Sequence, residues 1–356
     1  MGLNALKKNK QLMPAHFKII LEFATFFYNL NFMSAIDKVM YVFPGQGSQY
    51  LGMGEDLYHG FETAKEIFEQ ANDILNYDLV RIAFTDPDNQ IGLTRYTQPI
   101  LLTHQMACFR VFQELTNSKI TPVLSAGHSL GEYTALIVAG VLSFEDGLKL
   151  VSKRGELMGE YGQGSMLALP LMRDEAQLIA ENHSCQVATM NLPQQTVVGG
   201  KDSDIEKLES AFVELYPRKK AVKLDTEGAF HTDLMKTAAL AFMETLEQAS
   251  FAPTTMGVVS NFTAELHAED GSATKNLLFE QLFKPVNWVG CLKTSVSFGI
   301  KTIIEFGGGI GKAPEPENKR PNLESIIKKN FRAFERPIDY YPAINLKTVE
   351  ESAQSF

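Results

Sequence analysis

Cysteine is scarce in this chain, and what there is has no pattern. Cys108, Cys185 and Cys291 are three of 356 residues, odd in number and far apart. They supply neither a disulfide framework nor the paired spacing of a zinc site, so no metal is expected. Buried free thiols in a reducing cytoplasm are the plain expectation. Excess positive charge is missing too: 33 Lys and Arg stand against 42 Asp and Glu, a net charge of −9. That balance argues against nucleic acid or a membrane surface as the main partner. No apolar run reaches the roughly 20 residues of a membrane span. The best attempt, "FKIILEFATFFYNLNFM", is broken by Lys18, Glu22 and its asparagines. It also lacks a small-residue cleavage site, and Leu6 stands where a myristoylation signal wants Ser or Thr. Residues 1–36 therefore read as an N-terminal extension, either amphipathic or a translated leader with the working start near Met33. Internal repeats, low-complexity stretches and the Lys-Ser/Thr pair of a Walker loop are absent as well.

What is present is a soluble-type composition, 45% hydrophobic and 21% charged, on a chain long enough to bury a large core. From Asp37 onward strand and helix patterns alternate. "KVMYVF" is an apolar strand that breaks at Pro44-Gly45 into a glycine-rich loop. "TQPILLTHQMACFRVFQEL" has the density of a buried helix, "ITPVLSA" is a strand, and "EYTALIVAGVL" is an apolar helix. Ser143 with Asp146 three residues on opens the next helix. Beyond Gly164 the order becomes β-α-β-β-α-β, the split βαβ pattern of ferredoxin-like folds. The expected architecture is an α/β-hydrolase-like core with a parallel sheet and an inserted ferredoxin-like subdomain. The core takes residues 37–163 and 228–330, the insert 164–227, and residues 331–356 form a C-terminal tail.

Four features carry chemistry. Ser129 is centred in Gly127-His128-Ser129-Leu130-Gly131, between a strand and a helix. Glycines two before and two after permit the tight turn of a nucleophile elbow, and the following helix aims its positive end at a developing oxyanion. A serine nucleophile needs a base. His128 beside it would point away across the elbow, whereas His231, in "EGAFHTDLM", lies at a loop-to-helix junction that can face a cleft. The alternative for His231 is a helix-terminal histidine satisfied by backbone. The "FPGQGSQ" loop offers the Gln46 N–H, which with the Leu130 N–H would make a two-donor oxyanion hole. Arg154, 25 residues beyond Ser129, is either a solvated helix arginine or a guanidinium facing the pocket, where it would grip a carboxylate. Elbow and base alone leave open whether water or another acceptor takes the acyl group.

Together "VFPGQGSQYLGMG", "TQPILL", "AGHSLGEYTALIVAGVLSFEDGLKLVSKRGELM", "NLPQQTVVGG", "GAFHTDLM" and "KPVNW" resemble the malonyl-CoA:acyl-carrier-protein transacylase family, in that family's order. The resemblance covers about residues 39–310. It implies that Ser129 carries malonyl as an ester, that His231 is the base and acid, that Gln46 and Leu130 bind the oxyanion, and that Arg154 holds the malonyl carboxylate. It implies supporting places for Gln98 and His128, and a main-chain carbonyl at Asn287 steadying His231 in place of an acidic residue. Phe230 before the histidine implies a preference for malonyl over a 2-methyl branch. Malonyl-CoA as donor, the phosphopantetheine of an acyl carrier protein as acceptor, no cofactor, a monomer and a fatty-acid or polyketide role follow from the same likeness. The competing reading is a proofreading acyl hydrolase on the same fold. The basic stretch Arg218, Lys219, Lys220 and Lys223 is either a docking patch for an acidic carrier or a solvated strand edge. The polar C-terminal stretch lies outside the family pattern and is closer to those of free-standing polyketide acyltransferases.

Overall fold

The structure, a computed structural model, describes residues 38–268 and 270–356. The expectations for residues 1–36 lie outside the described residues. Among the described residues nine strands form two sheets. They are β1 (Val39–Phe43), β2 (Leu124–Gly127), β3 (Ser165–Leu169), β4 (Gln186–Leu192), β5 (Gln195–Gly200), β6 (Val222–Lys223), β7 (Gly257–Val259), β8 (Thr302–Phe306) and β9 (Asp339–Ala343). The first sheet has order β7-β2-β1-β8-β9 and every pairing in it is parallel. The second has order β4-β5-β3-β6 and is antiparallel.

Side-chain alternation explains how the layers meet. Along β1, Val39, Tyr41 and Phe43 enter the main core, while Met40 and Val42 enter a second core on the opposite face. A strand buried on both faces is what a parallel sheet covered by helices requires. The helix Thr94–Leu115 fills one side and is buried along most of its length. Along β3, Met166 and Ala168 join the main core, whereas Leu167 and Leu169 form the small sheet's own core with Val198, Leu208 and Phe212. One face of the ferredoxin-like sheet thus packs on the large sheet's helical layer, and the other is covered by helices Arg173–Glu181 and Asp202–Leu215. Ser143 caps Phe144–Glu160 as its spacing predicts, its Oγ accepting from the Asp146 N–H at 2.9 Å.

The C-terminal residues differ from the expectation of a tail. Asp339–Ala343 is the edge strand of the large sheet, and Leu346–Ala353 packs back on the core through Val349. Glu305 on β8 ties this end down. Its fully buried carboxylate accepts from the Asn322 and Leu323 N–H groups at 2.9 and 3.0 Å and from the Tyr340 hydroxyl on β9. Burial pushes its pKa up to about 7, and the hydrogen bonds from Tyr340, Leu323 and Asn322 only partly oppose that. The folded state therefore binds a proton more tightly than the unfolded chain. Its stabilising contribution is complete below the ordinary carboxylate range and is lost as pH rises through about 7. Glu305→Gln, which carries no charge to desolvate, should gain on the parent as pH rises from 4.5 to 8, by up to ~3 kcal/mol. Urea unfolding at several pH values reads this; a pH-independent difference would refute it.

Among the described residues all three cysteines are buried and free. Among these described residues no helix is long and apolar enough to cross a membrane, and no cluster of three or more His, Cys, Asp or Glu residues could hold a metal.

Candidate active site

Because β1, β2, β7 and β8 run parallel, their carboxyl ends deliver four loops to one edge of the sheet, the usual place for a site in an open α/β sheet. Ser129 stands at the end of β2 with φ +51°, a left-handed turn that a serine adopts only when its surroundings enforce it. The flanking glycines are the enforcement. A Cβ on Gly127 would overlap the main chain of Gly131 and Glu132, and one on Gly131 would meet the Phe43 carbonyl of β1. Asn261, after β7, clamps the turn from outside: its Oδ1 accepts from the Ser129 N–H at 2.6 Å, and its Nδ2 donates to the Gly127 carbonyl at 2.5 Å.

The structure brings Ser129, His231 and Arg154 together. Ser129 Oγ lies 2.8 Å from His231 Nε2 and 3.0 Å from Arg154 Nη2. His231 sits on a turn just before Asp233–Met235, with φ +60° and 4% exposure. Its Nδ1 is 2.7 Å from the main-chain oxygen of Gln281. An acceptor there places the ring proton on Nδ1 and leaves Nε2 bare toward the serine. This corrects the expectation for Asn287. Its side chain instead caps the helix Trp288–Ser297, accepting from Gly290 N–H at 3.0 Å, while its carbonyl takes the Cys291 N–H at 2.9 Å. Its oxygens are spent on that helix, so the partner of His231 comes from the end of Gly271–Gln281, six residues earlier.

His128 turns away from the serine. Its Nε2 is 2.8 Å from Asn191 Oδ1 on β4, and its ring meets Trp288 edge-on. It joins the two sheets. Pro44 to Ser48 lie against the elbow because Gly45 has no side chain: a Cβ there would press on the His128 carbonyl. Gln46 is held from its far end, Nε2 donating to Thr94 Oγ1 at 2.9 Å, and the Thr94 N–H is taken by Glu227 at 2.5 Å. Neither the Gln46 nor the Leu130 N–H has a protein acceptor among the described residues, so both remain available.

Arg154 is 1% exposed, which removes the solvated alternative. Its Nη1 donates to Gln98 Oε1 at 2.9 Å, and its Nη2 to Gln281 Oε1 at 3.0 Å as well as to Ser129. The guanidinium lies over the Tyr133 ring at 5.5 Å. Among the described residues no carboxylate oxygen comes within 4.0 Å of it, and its Nε has no partner. Burial pulls its pKa below the usual arginine value. Burial also drives His231 down to about 3, with the Arg154 charge as the second cause. Phe230 is buried beside the histidine. Arg218, Lys219, Lys220 and Lys223 are all exposed around the short edge strand β6. Gln281, Asn261 and Glu132 carry no chemical signal in the sequence; only Glu132, three residues after the serine, lies inside a recognisable motif.

The serine thus stands on a left-handed elbow with a histidine ring nitrogen on its hydroxyl and two N–H groups without acceptors beside it. Residues 40–298 match the family model described as an acyl transferase domain. The chain is 38% identical over 283 residues to the malonyl CoA-acyl carrier protein transacylase of Bacillus subtilis (strain 168), covering 77% of this chain and 88% of that protein. It superposes on the malonyl-CoA:acyl carrier protein transacylase FabD of Xanthomonas oryzae pv. oryzae with a TM-score of 0.80 at 33% identity, over 90% of this chain and 98% of that one. A type II polyketide malonyl-transacylase solved in complex with its acyl-carrier protein gives a TM-score of 0.80 at 29% identity, over 90% and 100% of the two chains. The chain belongs to the malonyl-CoA:acyl-carrier-protein transacylase family, and it is an acyltransferase.

Proposed function

We propose that this protein moves malonyl from malonyl-CoA to the phosphopantetheine thiol of an acyl carrier protein, in fatty-acid or polyketide synthesis, by a ping-pong route through Ser129. The observation that carries the reading is Arg154: a buried guanidinium with no carboxylate partner among the described residues, hydrogen-bonded to the Ser129 hydroxyl. A buried cation left this way is costly unless an anion arrives, and a malonyl group brings a carboxylate to that spot.

In the first half-reaction His231 Nε2 takes the Ser129 proton as Oγ attacks the thioester carbonyl. The tetrahedral oxyanion is held by the Gln46 and Leu130 N–H groups. Collapse breaks the C–S bond, and the proton on His231 passes to the departing CoA sulfur. In the second half-reaction the acceptor thiol gives its proton to His231 and attacks the malonyl ester. Collapse breaks the C–O bond and returns the proton to Ser129 Oγ. Because a thioester is exchanged for a thioester, the site has to admit thiols and exclude water. A hydrolase of monocarboxylic acyl chains would gain nothing from Arg154.

Intact mass spectrometry after mixing with malonyl-CoA should show one malonyl adduct, mapped to Ser129. Adding a loaded-competent carrier protein should discharge it onto the carrier rather than to free malonate. No adduct, or discharge mainly to free acid, would sink the proposal.

A further inference from the structure

Behind Ser129 lies a second set of buried polar groups that the transfer steps do not use. Glu132, Asn261, Gln281 and His267 are at most 6% exposed. Glu132 follows the nucleophile by three residues, and its carboxylate has no Lys or Arg partner among the described residues. Oε1 takes His267 Nε2 at 2.7 Å, and Oε2 takes Gln281 Nε2 at 2.8 Å and the Asn261 N–H at 3.2 Å. With the His267 ring proton placed on Nε2, since Nδ1 has no partner, both oxygens accept.

A buried carboxylate whose partners are an imidazole and amides, and a buried guanidinium without a carboxylate, are each unfavourable alone. Here they stand on opposite sides of one amide. Gln281 donates Nε2 to Glu132 and accepts at Oε1 from Arg154 Nη2 at 3.0 Å. The same Nε2 donates to the Ser129 carbonyl at 2.8 Å, so reversing the amide would turn N–H toward the guanidinium and C=O toward two other oxygens. The polarity of Gln281 is therefore dictated, and it passes the attraction of the two charges through a neutral group.

We propose that Glu132 is the counter-charge of Arg154, kept one amide away by Gln281, and that this spacing sets how firmly the site holds a carboxylate-bearing acyl group. In direct contact Glu132 would occupy the guanidinium and shut out the substrate carboxylate. With no counter-charge at all, the guanidinium would grip that carboxylate more tightly. The field of Glu132 is felt at Arg154, where it opposes the effect of burial. Glu132 is a positioning residue in this account, since it touches neither substrate nor reacting atoms, and the inference rests on Arg154 holding the acyl carboxylate.

Glu132→Gln is the decisive variant because it removes the charge and keeps the side chain's size, at the cost of one buried ring N–H without an acceptor. The new amide oxygen can take the place of Oε2, where two donors converge, with its NH2 toward His267. That ring can accept there by moving its proton to Nδ1, which has no partner now. For acylation of Ser129, KM for malonyl-CoA should fall relative to KM for acetyl-CoA by about tenfold, the size expected for one unit charge roughly 10 Å away at an effective dielectric near 20. A folded variant with an unchanged ratio, or one shifted toward acetyl-CoA, would overturn the proposal. The double variant Glu132→Gln with Gln281→Glu gives a second reading should the first variant fail to fold. It keeps the charge count, lets the amide at 132 donate to the carboxylate at 281, and moves the charge against Arg154. A carboxylate in direct contact with Arg154 should raise the malonyl-to-acetyl KM ratio at least tenfold, and no rise would count equally against it. Arg154→Ala, assayed alongside, separates the two claims. If it leaves malonyl preference intact, the proposed role of Arg154 fails; if it abolishes the preference while Glu132→Gln changes nothing, only the counter-charge role fails.

Discussion

Arg154→Ala is expected to lower kcat/KM for malonyl-CoA by about a hundredfold to a thousandfold, while leaving acetyl-CoA turnover at or above the parent level. Charge-assisted hydrogen bonds to a buried carboxylate contribute about 1.5–3 kcal/mol each, and a guanidinium can make two. An acetyl group has no carboxylate to lose. It also benefits indirectly, because the Arg154 charge is one of the causes that depress His231, and removing it makes the base stronger. The assay is transfer to a carrier protein from both donors, with melting temperature as the control for the truncated core. Equal losses for the two donors would mean that Arg154 supports the fold and does not read the acyl group.

His231→Ala is expected to slow Ser129 acylation by about a thousandfold or more, the usual scale for removing a positioned base. The pH dependence of the parent is the sharper test. An ordinary histidine protonates near pH 6.5 and would switch activity off there. With its pKa held near 3 by burial and by Arg154, His231 stays neutral through that range. Transfer rates should therefore show no limb near pH 6.5. Stability sets the acid limit instead. His104, buried and lowered to about 3, and His231 are neutral when folded but take up protons near 6.5 when unfolded. Their stabilising contribution is complete above that value and is lost as pH falls toward about 3. Short stopped-flow assays between pH 5 and 8 separate the two effects. A rate that halves near pH 6.5 in folded protein would contradict the environment described for His231.

Local steric rules made much of this protein legible from its sequence. The elbow is a property of five adjacent residues: only glycine fits where β1 and the next helix turn press on the chain. The Ser143 cap and the β-α-β-β-α-β order are likewise short-range patterns. Where expectation and structure part, the cause is distance along the chain. Asp339–Ala343 carries the polar look of a tail because an edge strand is covered on fewer sides, and its parallel pairing with β8 together with the buried Glu305–Tyr340 contact makes it part of the sheet. The partner of His231 is a main-chain oxygen, which every residue possesses, so side-chain identity cannot distinguish Gln281 from Asn287.

What the sequence alone determined is therefore the inventory: a serine that must sit on a strained turn, a histidine at a helix entrance, a loop with free N–H groups, and an order of segments shared with a family. What only the tertiary structure decided is the electrical state of the site. Arg154 is a solvated helix residue or a buried, unpaired cation depending on what surrounds it. Its surroundings come from Gln98, Ser129, Tyr133 and Gln281, with Glu132 one amide beyond. Charge strength depends on desolvation and on neighbours within a few ångströms. Those neighbours are up to 127 residues away in the chain, and no local pattern assembles them.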